Sequence, residues 1–345
     1  MNERIEIEVA AEEHRKRLED FLCDRFIGLS KMYLRDIVKN EKCAVNGRFE
    51  NRGFLVRSND FIEIELDPSR ETAMQPENVA IEIVFEDEQL MVVNKPAGML
   101  VHPTHRDKNG TLLNALTFYL NREGLGEQKG KRGKGDEEFT FNSLNFASSP
   151  VLPVSSQFTR PGLIHRLDKQ TSGLMVIAKT PRSHRILADH FQRKIVKKRY
   201  LALVQGIVEA DDGVIEAPIG RFADLKRWDV KSDGKTAVTR FWVKKRYGDA
   251  QLLELEPVTG RTNQLRIHCA HIGHPIVGDV ARGGKEFCRL CLHAYKLAFR
   301  HPNGGEKLEF QIDPPPEMTQ SSHFLLISDF SQLRPLGESH FNQVK

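Results

Sequence analysis

The residues best placed for chemistry lie in the stretch His165-Arg166-Leu167-Asp168, where an arginine and an aspartate stand two positions apart. On an extended strand, positions i and i+2 share one face, so Arg166 and Asp168 are expected to line the same wall of a cleft. The polar turn Lys169 to Gly173 and an apolar strand follow, which predicts that Asp168 sits at a strand edge. Spacing alone favours a surface ion pair, which contributes little.

Cysteine and histidine form a second group of side chains that could bind or react. Cys288 and Cys291 make a C-x-x-C, and Cys269 and His271 lie upstream of it. A single C-x-x-C without a matching second pair is a weak zinc signal, so the pattern favours buried or incidental cysteines and no metal site. Five cysteines without secretory context indicate free thiols in a reducing compartment.

The elements that must position Asp168 are mostly strands. Apolar segments read as strands at 81–85, 90–93, 173–178, 199–204, 237–243 and 252–255. The clearest helix is Ser183 to Lys194, with Ile186, Leu187 and Phe191 at helical spacing. Many strands with few helices predict an α+β fold whose mixed sheet is largely antiparallel.

A smaller unit precedes this domain. Two amphipathic helices follow one another, the first from Leu18 and the second carrying Leu34, Ile37 and Val38. Asn46-Gly47 then marks a hairpin, and 61–66 alternates like a half-buried strand. We therefore predict a helix-helix-sheet domain over 1–67, before the larger domain described above. The remaining boundaries are a linker at 68–78, the larger domain at 79–318 with a disordered insertion at 121–160, and a tail at 319–345.

Charge and hydropathy narrow the function classes only modestly. A net charge of +4 permits nucleic acid as a partner but also suits enzymes of small metabolites. The first 20 residues lack the apolar core of a signal peptide, and no apolar run approaches the ~18 residues of a membrane span. The expected location is therefore the cytoplasm, with no membrane partner.

A series of motifs extends on both sides of Asp168. RPGLIHRLDKQTSGLMVIAKT is preceded by FEDEQLMVVNKPAGMLVHP and GTLLNAL, and is followed by KKRYLALVQG, APIGR, GKTAVTRF, EPVTGRTNQLRIH, IGHPIVGD and LHAYKLAFRHP. Together they resemble, in order, the RluA family of RNA pseudouridine synthases over nearly all of residues 80 to 316 except the insertion. One short motif would be weak, but an ordered series of this length is specific.

The resemblance implies that the protein isomerises uridine to pseudouridine in structured RNA without metal or organic cofactor. Asp168 matches the family's essential aspartate, acting as nucleophile or base, and Arg266 matches the arginine that pairs with it. Tyr200 matches the tyrosine that stacks on the flipped base, and Arg166 the arginine that fills the vacated stack. An extruded base needs such a pocket. A cation near Asp168 would keep its pKa low and the carboxylate ionised.

The first 67 residues resemble the alpha-L RNA-binding domain through Arg17-Leu18, Ser30-Lys31, Val45-Asn46-Gly47 and Asn59-Asp60. That resemblance implies that Arg17, Lys31 and Arg35 lie on or near a face that meets RNA phosphates; the alternative is a small capping domain with surface charges. In the larger domain, the residues expected to contact RNA are Arg221, Arg227 and Arg261.

Family members with an alpha-L domain typically modify large-subunit ribosomal RNA, so that RNA is the expected partner of a monomeric enzyme. The alternatives are a synthase for transfer RNA or several RNAs, a catalytically silent assembly factor, and a glycosidase, which would need a second carboxylate that no motif supplies. Two departures from the family pattern concern substrate choice. Asn263 replaces a usual His, and Arg227-Trp228 replaces a usual Lys-Met.

Overall fold

The computed structural model describes residues 3–26, 29, 31–67, 75–104, 106–122 and 160–319. Most of the predicted linker, nearly all of the predicted insertion and all but the first residue of the predicted tail lie outside the described residues. The chain divides into two compact units, Met1–Ala80 with His102–Pro161 and Ile81–Val101 with Gly162–Lys345. The first unit thus includes the described residues 102–104 and 106–122, which the sequence analysis places in the larger domain.

Over its described residues, the first unit contains three α-helices and a four-stranded sheet of order β1-β4-β2-β3. Its elements in chain order are β1 (Glu3–Glu8), α1 (Leu18–Arg25), α2 (Lys31–Lys39), β2 (Cys43–Val45), β3 (Arg48–Phe49), β4 (Phe61–Leu66) and α3 (Leu112–Asn121). Both predicted amphipathic helices are confirmed, and Leu34, Ile37 and Val38 of α2 are buried.

The predicted turn at Asn46-Gly47 joins β2 to β3. Asn46 has φ of 49° and Gly47 has φ of 75°. A type I′ hairpin requires positive φ at both central residues, and Asn-Gly is the pair that accepts this most readily. The sequence therefore determines this hairpin directly.

The second unit is built on a ten-stranded sheet whose main path is β10-β13-β14-β9-β15-β8-β6-β5, with β7 and β16 pairing β8 and β15. Its strands are β5 (Glu82–Glu86), β6 (Leu90–Lys95), β7 (Gly162–Leu163), β8 (Ser172–Ala178), β9 (Lys197–Gln205), β10 (Asp212–Glu216), β13 (Val238–Tyr247), β14 (Ala250–Pro257), β15 (Leu292–Arg300) and β16 (Lys307–Gln311). A separate hairpin joins β11 (Ile219–Phe222) to β12 (Arg227–Val230).

All the strand pairs of this sheet are antiparallel except that between β8 and β15. The α+β prediction with a largely antiparallel sheet is therefore confirmed. Every residue of β8 is buried, and β6, β7 and β15 all pair with it, so that strand lies at the centre of the unit.

In the described part of this unit, two α-helices pack against the sheet, α4 (Pro181–Gln192) and α5 (Gln264–His271). The sequence predicted α4, which starts after Thr180, whose hydroxyl accepts a hydrogen bond from Ser183 N. It did not predict α5, because polar residues of that helix are buried. The Gln264 side chain donates to Val238 O at 2.9 Å, which hides the apolar period from a sequence reading.

Among the residues that the structure describes, no helix is long and apolar enough to cross a membrane.

Candidate active site

Asp168 lies in the loop between β7 and β8, four residues before the first residue of β8. The prediction that Arg166 and Asp168 share a strand face is wrong, because residues 164–168 form no ladder. The imidazole of His165 instead accepts a hydrogen bond from Val176 N of β8 at 3.1 Å. This side chain occupies a position that a neighbouring strand would have filled, so the chain turns away and carries Asp168 towards the cavity.

A glycine sets the close approach at the start of β8. Gly173 has φ of +117°, and a Cβ there would lie 2.3 Å from the carbonyl oxygen of Ala294 on β15. Only glycine fits both the backbone conformation and the space. The parallel register of Ser172 and Gly173 against His293 and Ala294 therefore fixes where the Asp168 loop ends.

Lys95 holds the loop from beneath. Its side chain is fully buried, and Nζ donates to the carbonyl oxygens of Pro96 at 2.7 Å, Met99 at 2.8 Å and Lys169 at 3.2 Å. Because Lys169 adjoins Asp168, the ammonium ties the end of β6 to the catalytic loop. Burial lowers the pKa of Lys95 to about 8, although the charge of Asp168 acts in the opposite direction.

Arg266 on α5 faces Asp168, as the sequence predicted, with Nη1 3.9 Å from Oδ2. Its stronger partner is Asp279, which accepts from Nε and Nη2 at 2.7 Å each. The Asp279 side chain is 1% exposed. This two-point pairing fixes the guanidinium plane and leaves Nη1 directed at Asp168.

The electrostatics of Asp168 differ from the expectation of a low pKa. Burial raises the pKa of this carboxyl above its ordinary value, and it outweighs the cations that act to lower it. In order of decreasing effect, these cations are Arg266, Arg166, Lys95 and Arg282. The four positive charges favour the ionised form, but the loss of solvation at this partly buried position disfavours it by more.

Tyr200 lies on β9 and is 9% exposed. It lines the same cavity of about 200 Å³ as Asp168 and Arg266. Burial, together with the negative charge of Asp168, raises the pKa of the phenol, so the hydroxyl stays protonated at neutral pH. A ring beside a carboxylate and an arginine in a small cavity is an arrangement suited to a planar base.

The loop before α5 also lines this cavity, which is lined by Asp168, Tyr200 and Arg266 and is called here the base pocket. Asn263 has φ of 54° and lies in the left-handed region, which Asn adopts more readily than most residues. Its Oδ1 lies 3.5 Å from Arg266 Nη1. Arg261, predicted to contact RNA, is exposed on the same wall and donates to Thr236 O at 3.0 Å.

The other residues predicted to contact RNA do not line the base pocket. They are Arg17, Lys31, Arg35, Arg221 and Arg227. In the first unit, Lys31 and Arg35 both pair with Glu19, at 2.9 Å and 2.7 Å. Their charges are therefore partly compensated within that unit. Arg17 is exposed directly before α1.

On the β11–β12 hairpin, Arg221 is exposed opposite Trp228, and Arg227 pairs with Asp229 at 2.9 Å. Arg221 and Arg227 therefore lie on neighbouring strands, and part of the Arg227 charge is compensated.

The sequence reading passed over four residues that the structure places at or beside the site: Lys95, Lys198, Asp279 and Arg282. Three of them lie inside motifs quoted above, NKPAG, KKRY and IGHPIVGD, so a signal existed. Arg282 lies between IGHPIVGD and LHAYKLAFRHP, outside both motifs, and only the fold brings it near Asp168. No group of three or more His, Cys, Asp or Glu residues able to hold a metal occurs in the described part of the chain, and all five cysteines are free.

Comparison with known proteins decides what this pocket belongs to. The family model for RNA pseudouridylate synthases matches residues 89–271, which include Asp168, Tyr200 and Arg266. The chain belongs to this family.

Relatives extend the match over most of the chain. An uncharacterized RNA pseudouridine synthase of Aquifex aeolicus is 35% identical, covering 91% of this chain and 95% of the relative. The ribosomal large subunit pseudouridine synthase D of Zymomonas mobilis is 32% identical, with the same coverage. The structure of human RNA pseudouridylate synthase domain containing 1 aligns with a TM-score of 0.51 at 26% identity, covering 71% of this chain and 89% of that one. The protein is thus an RNA pseudouridine synthase, an isomerase that acts on RNA.

Proposed function

We propose that this pseudouridine synthase modifies uridines of large-subunit ribosomal RNA. Several relatives, 31% to 34% identical over 88% to 91% of the chain, carry the name ribosomal large subunit pseudouridine synthase D. A small unit with exposed basic residues, including Arg17, precedes the catalytic residues, which suits docking on a large structured RNA. The proposed setting is a monomer in the cytoplasm that needs no metal or cofactor.

The arrangement that supports isomerisation of uridine is the base pocket, where Asp168, Tyr200 and Arg266 share one cavity. In the reaction, the bond between N1 and C1′ of uridine breaks, the base turns, and a bond forms between C5 and C1′. The C5 proton leaves and N1 gains a proton, so atoms and charge balance. Asp168 acts either as nucleophile at the sugar or as base in the bond exchange.

The partners of Asp168 have separate roles. Arg266, held by Asp279, offsets part of the cost of burying an ionised carboxylate. Tyr200 gives the extruded base an aromatic surface on which to stack. Arg166 is exposed at the mouth of the pocket, where its guanidinium can occupy the space left in the RNA stack.

Pseudouridine mapping tests this proposal. Ribosomal and transfer RNA from cells with and without the gene are compared, and the deletion is complemented with wild type, Asp168→Ala or the surface control Asp249→Asn. We expect marks in large-subunit ribosomal RNA to be lost, and to return with wild type and Asp249→Asn only. Marks lost only from transfer RNA would overturn the substrate proposal. Full restoration by Asp168→Ala would overturn the catalytic assignment.

A further inference from the structure

A second and larger cavity, of about 1060 Å³, lies beside the base pocket in the same unit. The two cavities share Arg166, Lys198 and Tyr200 on their walls. The large cavity, called here the basic cleft, is formed by the end of α4, the start of β9 and the strand ends near Arg300 and Lys307. An occupant of the basic cleft therefore lies next to a nucleotide placed at Tyr200.

The lining of the basic cleft is strongly cationic. Its positive residues are Arg166, Lys194, Lys197, Lys198, Arg240, Arg300 and Lys307. Its one carboxylate is Glu256, which pairs with Arg199 outside the cleft at 2.8 Å. The cleft thus presents seven positive charges against one acid that is already engaged.

Most of these cations lack an acidic partner. Over the described residues, only Lys307 of the seven forms an ion pair, with Glu309. Comparable cations elsewhere in this unit, such as Lys179, Arg246 and Lys285, each pair with a carboxylate. A concentration of uncompensated charge in a concave surface raises the local concentration of anions.

Lys198 is the cation of the cleft whose surroundings most favour binding of an anion. Its side chain lies between both cavities, with Nζ 5.5 Å from the centre of the Phe191 ring and no carboxylate within ion-pair distance in the described structure. Burial lowers its pKa. A partly desolvated ammonium without a counter-charge gains more from an incoming anion than an exposed lysine does.

We propose that the basic cleft holds the phosphodiester backbone of the RNA strand adjoining the target uridine, and this inference rests on the proposed action on structured RNA. The strand that leaves the flipped base must pass Arg166 and Tyr200, which form the junction of the two cavities. The cleft then receives successive phosphates, which the seven cations of its lining can bind. An acidic protein segment is the alternative occupant, but unlike the RNA strand it is not covalently joined to the nucleotide in the base pocket.

The test removes three exposed cations that lie outside the base pocket. The cleft variant is Lys194→Gln, Lys197→Gln and Arg300→Gln. The matched control, also on exposed residues of the same unit but outside both cavities, is Lys244→Gln, Lys245→Gln and Lys285→Gln. Both variants lower the net charge by three, so a difference between them reports position and not overall charge.

The measurement is the dissociation constant for a ribosomal RNA fragment, followed from 50 to 300 mM salt, with single-turnover isomerisation at saturating RNA. Each phosphate contact on a single strand contributes about 0.7 to the slope of log K against log salt. The cleft variant should therefore lose about two units of slope and bind about 50-fold more weakly near 150 mM salt. The control should change by less than threefold, and isomerisation at saturation should stay within about threefold for both variants.

Equal weakening in the two variants would overturn the inference, because the effect would then follow net charge. Unchanged RNA binding with reduced capture of an acidic ribosomal protein would assign the cleft to that partner and also overturn it. Wild-type enzyme that isomerises no ribosomal RNA would instead contradict the proposed function, so the two failures are distinct. Thermal midpoints within about 2 °C of wild type exclude misfolding as the cause.

Discussion

Replacing Asp279 by Asn isolates the residue that orients the catalytic arginine. In the native protein, both oxygens of Asp279 accept from Arg266, and the Asp279 side chain is 1% exposed whereas that of Arg266 is 19% exposed. Asn offers one acceptor and turns an N–H₂ towards a guanidinium that only donates. Arg266 then loses one charge-assisted hydrogen bond and the counter-charge that fixes its plane.

The magnitude follows from the burial of the pair. Breaking a buried ion pair by removing one partner costs about 3 to 5 kcal/mol, and Asn keeps one hydrogen bond, so we expect the lower end, about 3 kcal/mol. If Arg266 shifts by about 1 Å relative to Asp168, isomerisation should slow by about 100-fold. The two effects are measured separately, by urea unfolding and by single-turnover release of the C5 proton from uridine.

Asp249→Asn is the matched control, because it removes the same charge from an exposed pair with Lys285. We expect it to cost no more than about 1 kcal/mol and to leave the rate unchanged. If Asp279→Asn lowers stability but isomerises RNA as fast as Asp249→Asn does, Asp279 does not orient Arg266 for catalysis. The reasoning from the two-point pairing would then be refuted.

Three further predictions concern the loop around the catalytic carboxyl. Burial raises the pKa of Asp168 above its value in the unfolded chain, so the ionised carboxyl destabilises the fold once the pH exceeds that unfolded pKa. Asp168→Asn should abolish isomerisation yet melt at a higher temperature than wild type at pH 7, and this advantage should vanish near pH 3. Burial lowers the pKa of Lys95 to about 8. The free energy of unfolding should therefore rise between about pH 8 and the pKa of the unfolded chain, near 10.4, and Lys95→Met should remove that rise in a series of urea-unfolding curves. Gly173→Ala should lower the free energy of unfolding by more than about 3 kcal/mol because its Cβ meets the backbone of Ala294. Gly98→Ala, with open space around it, should lower it by about 1 kcal/mol. Comparable losses of stability in urea would contradict the steric argument.

Several elements could be predicted from the sequence because local physics determines them. The Asn46-Gly47 hairpin needs two positive φ angles, which this dipeptide adopts at little cost. Helix α4 begins at a capping threonine and repeats apolar residues at helical spacing. The strands of the large sheet are apolar runs of suitable length, which is why the α+β class was also accessible.

Other features could not be predicted from the sequence because they depend on contacts with residues that are distant in the chain. Helix α5 buries Gln264 against Val238 and Thr239, so its sequence shows no clear apolar period. The segment before Asp168 was predicted as a strand face, but the imidazole of His165 takes the hydrogen bond of Val176 that a ladder partner would have taken. Neither contact can be read from neighbouring residues.

The sequence alone determined which residue types could act, since the ordered motifs contain Asp168, Tyr200 and Arg266 and each lies within a short, locally specified segment. It could not determine the charge balance around Asp168, because the pKa of a carboxyl depends on what surrounds it in space. The tertiary structure decided that burial outweighs the four nearby cations, and that Asp279 is the main partner of Arg266. It also brought cations from the loop before Asp168, the turn after α4, and β9, β13, β15 and β16 into one cleft. Desolvation and charge act through space, and no spacing along the chain records them.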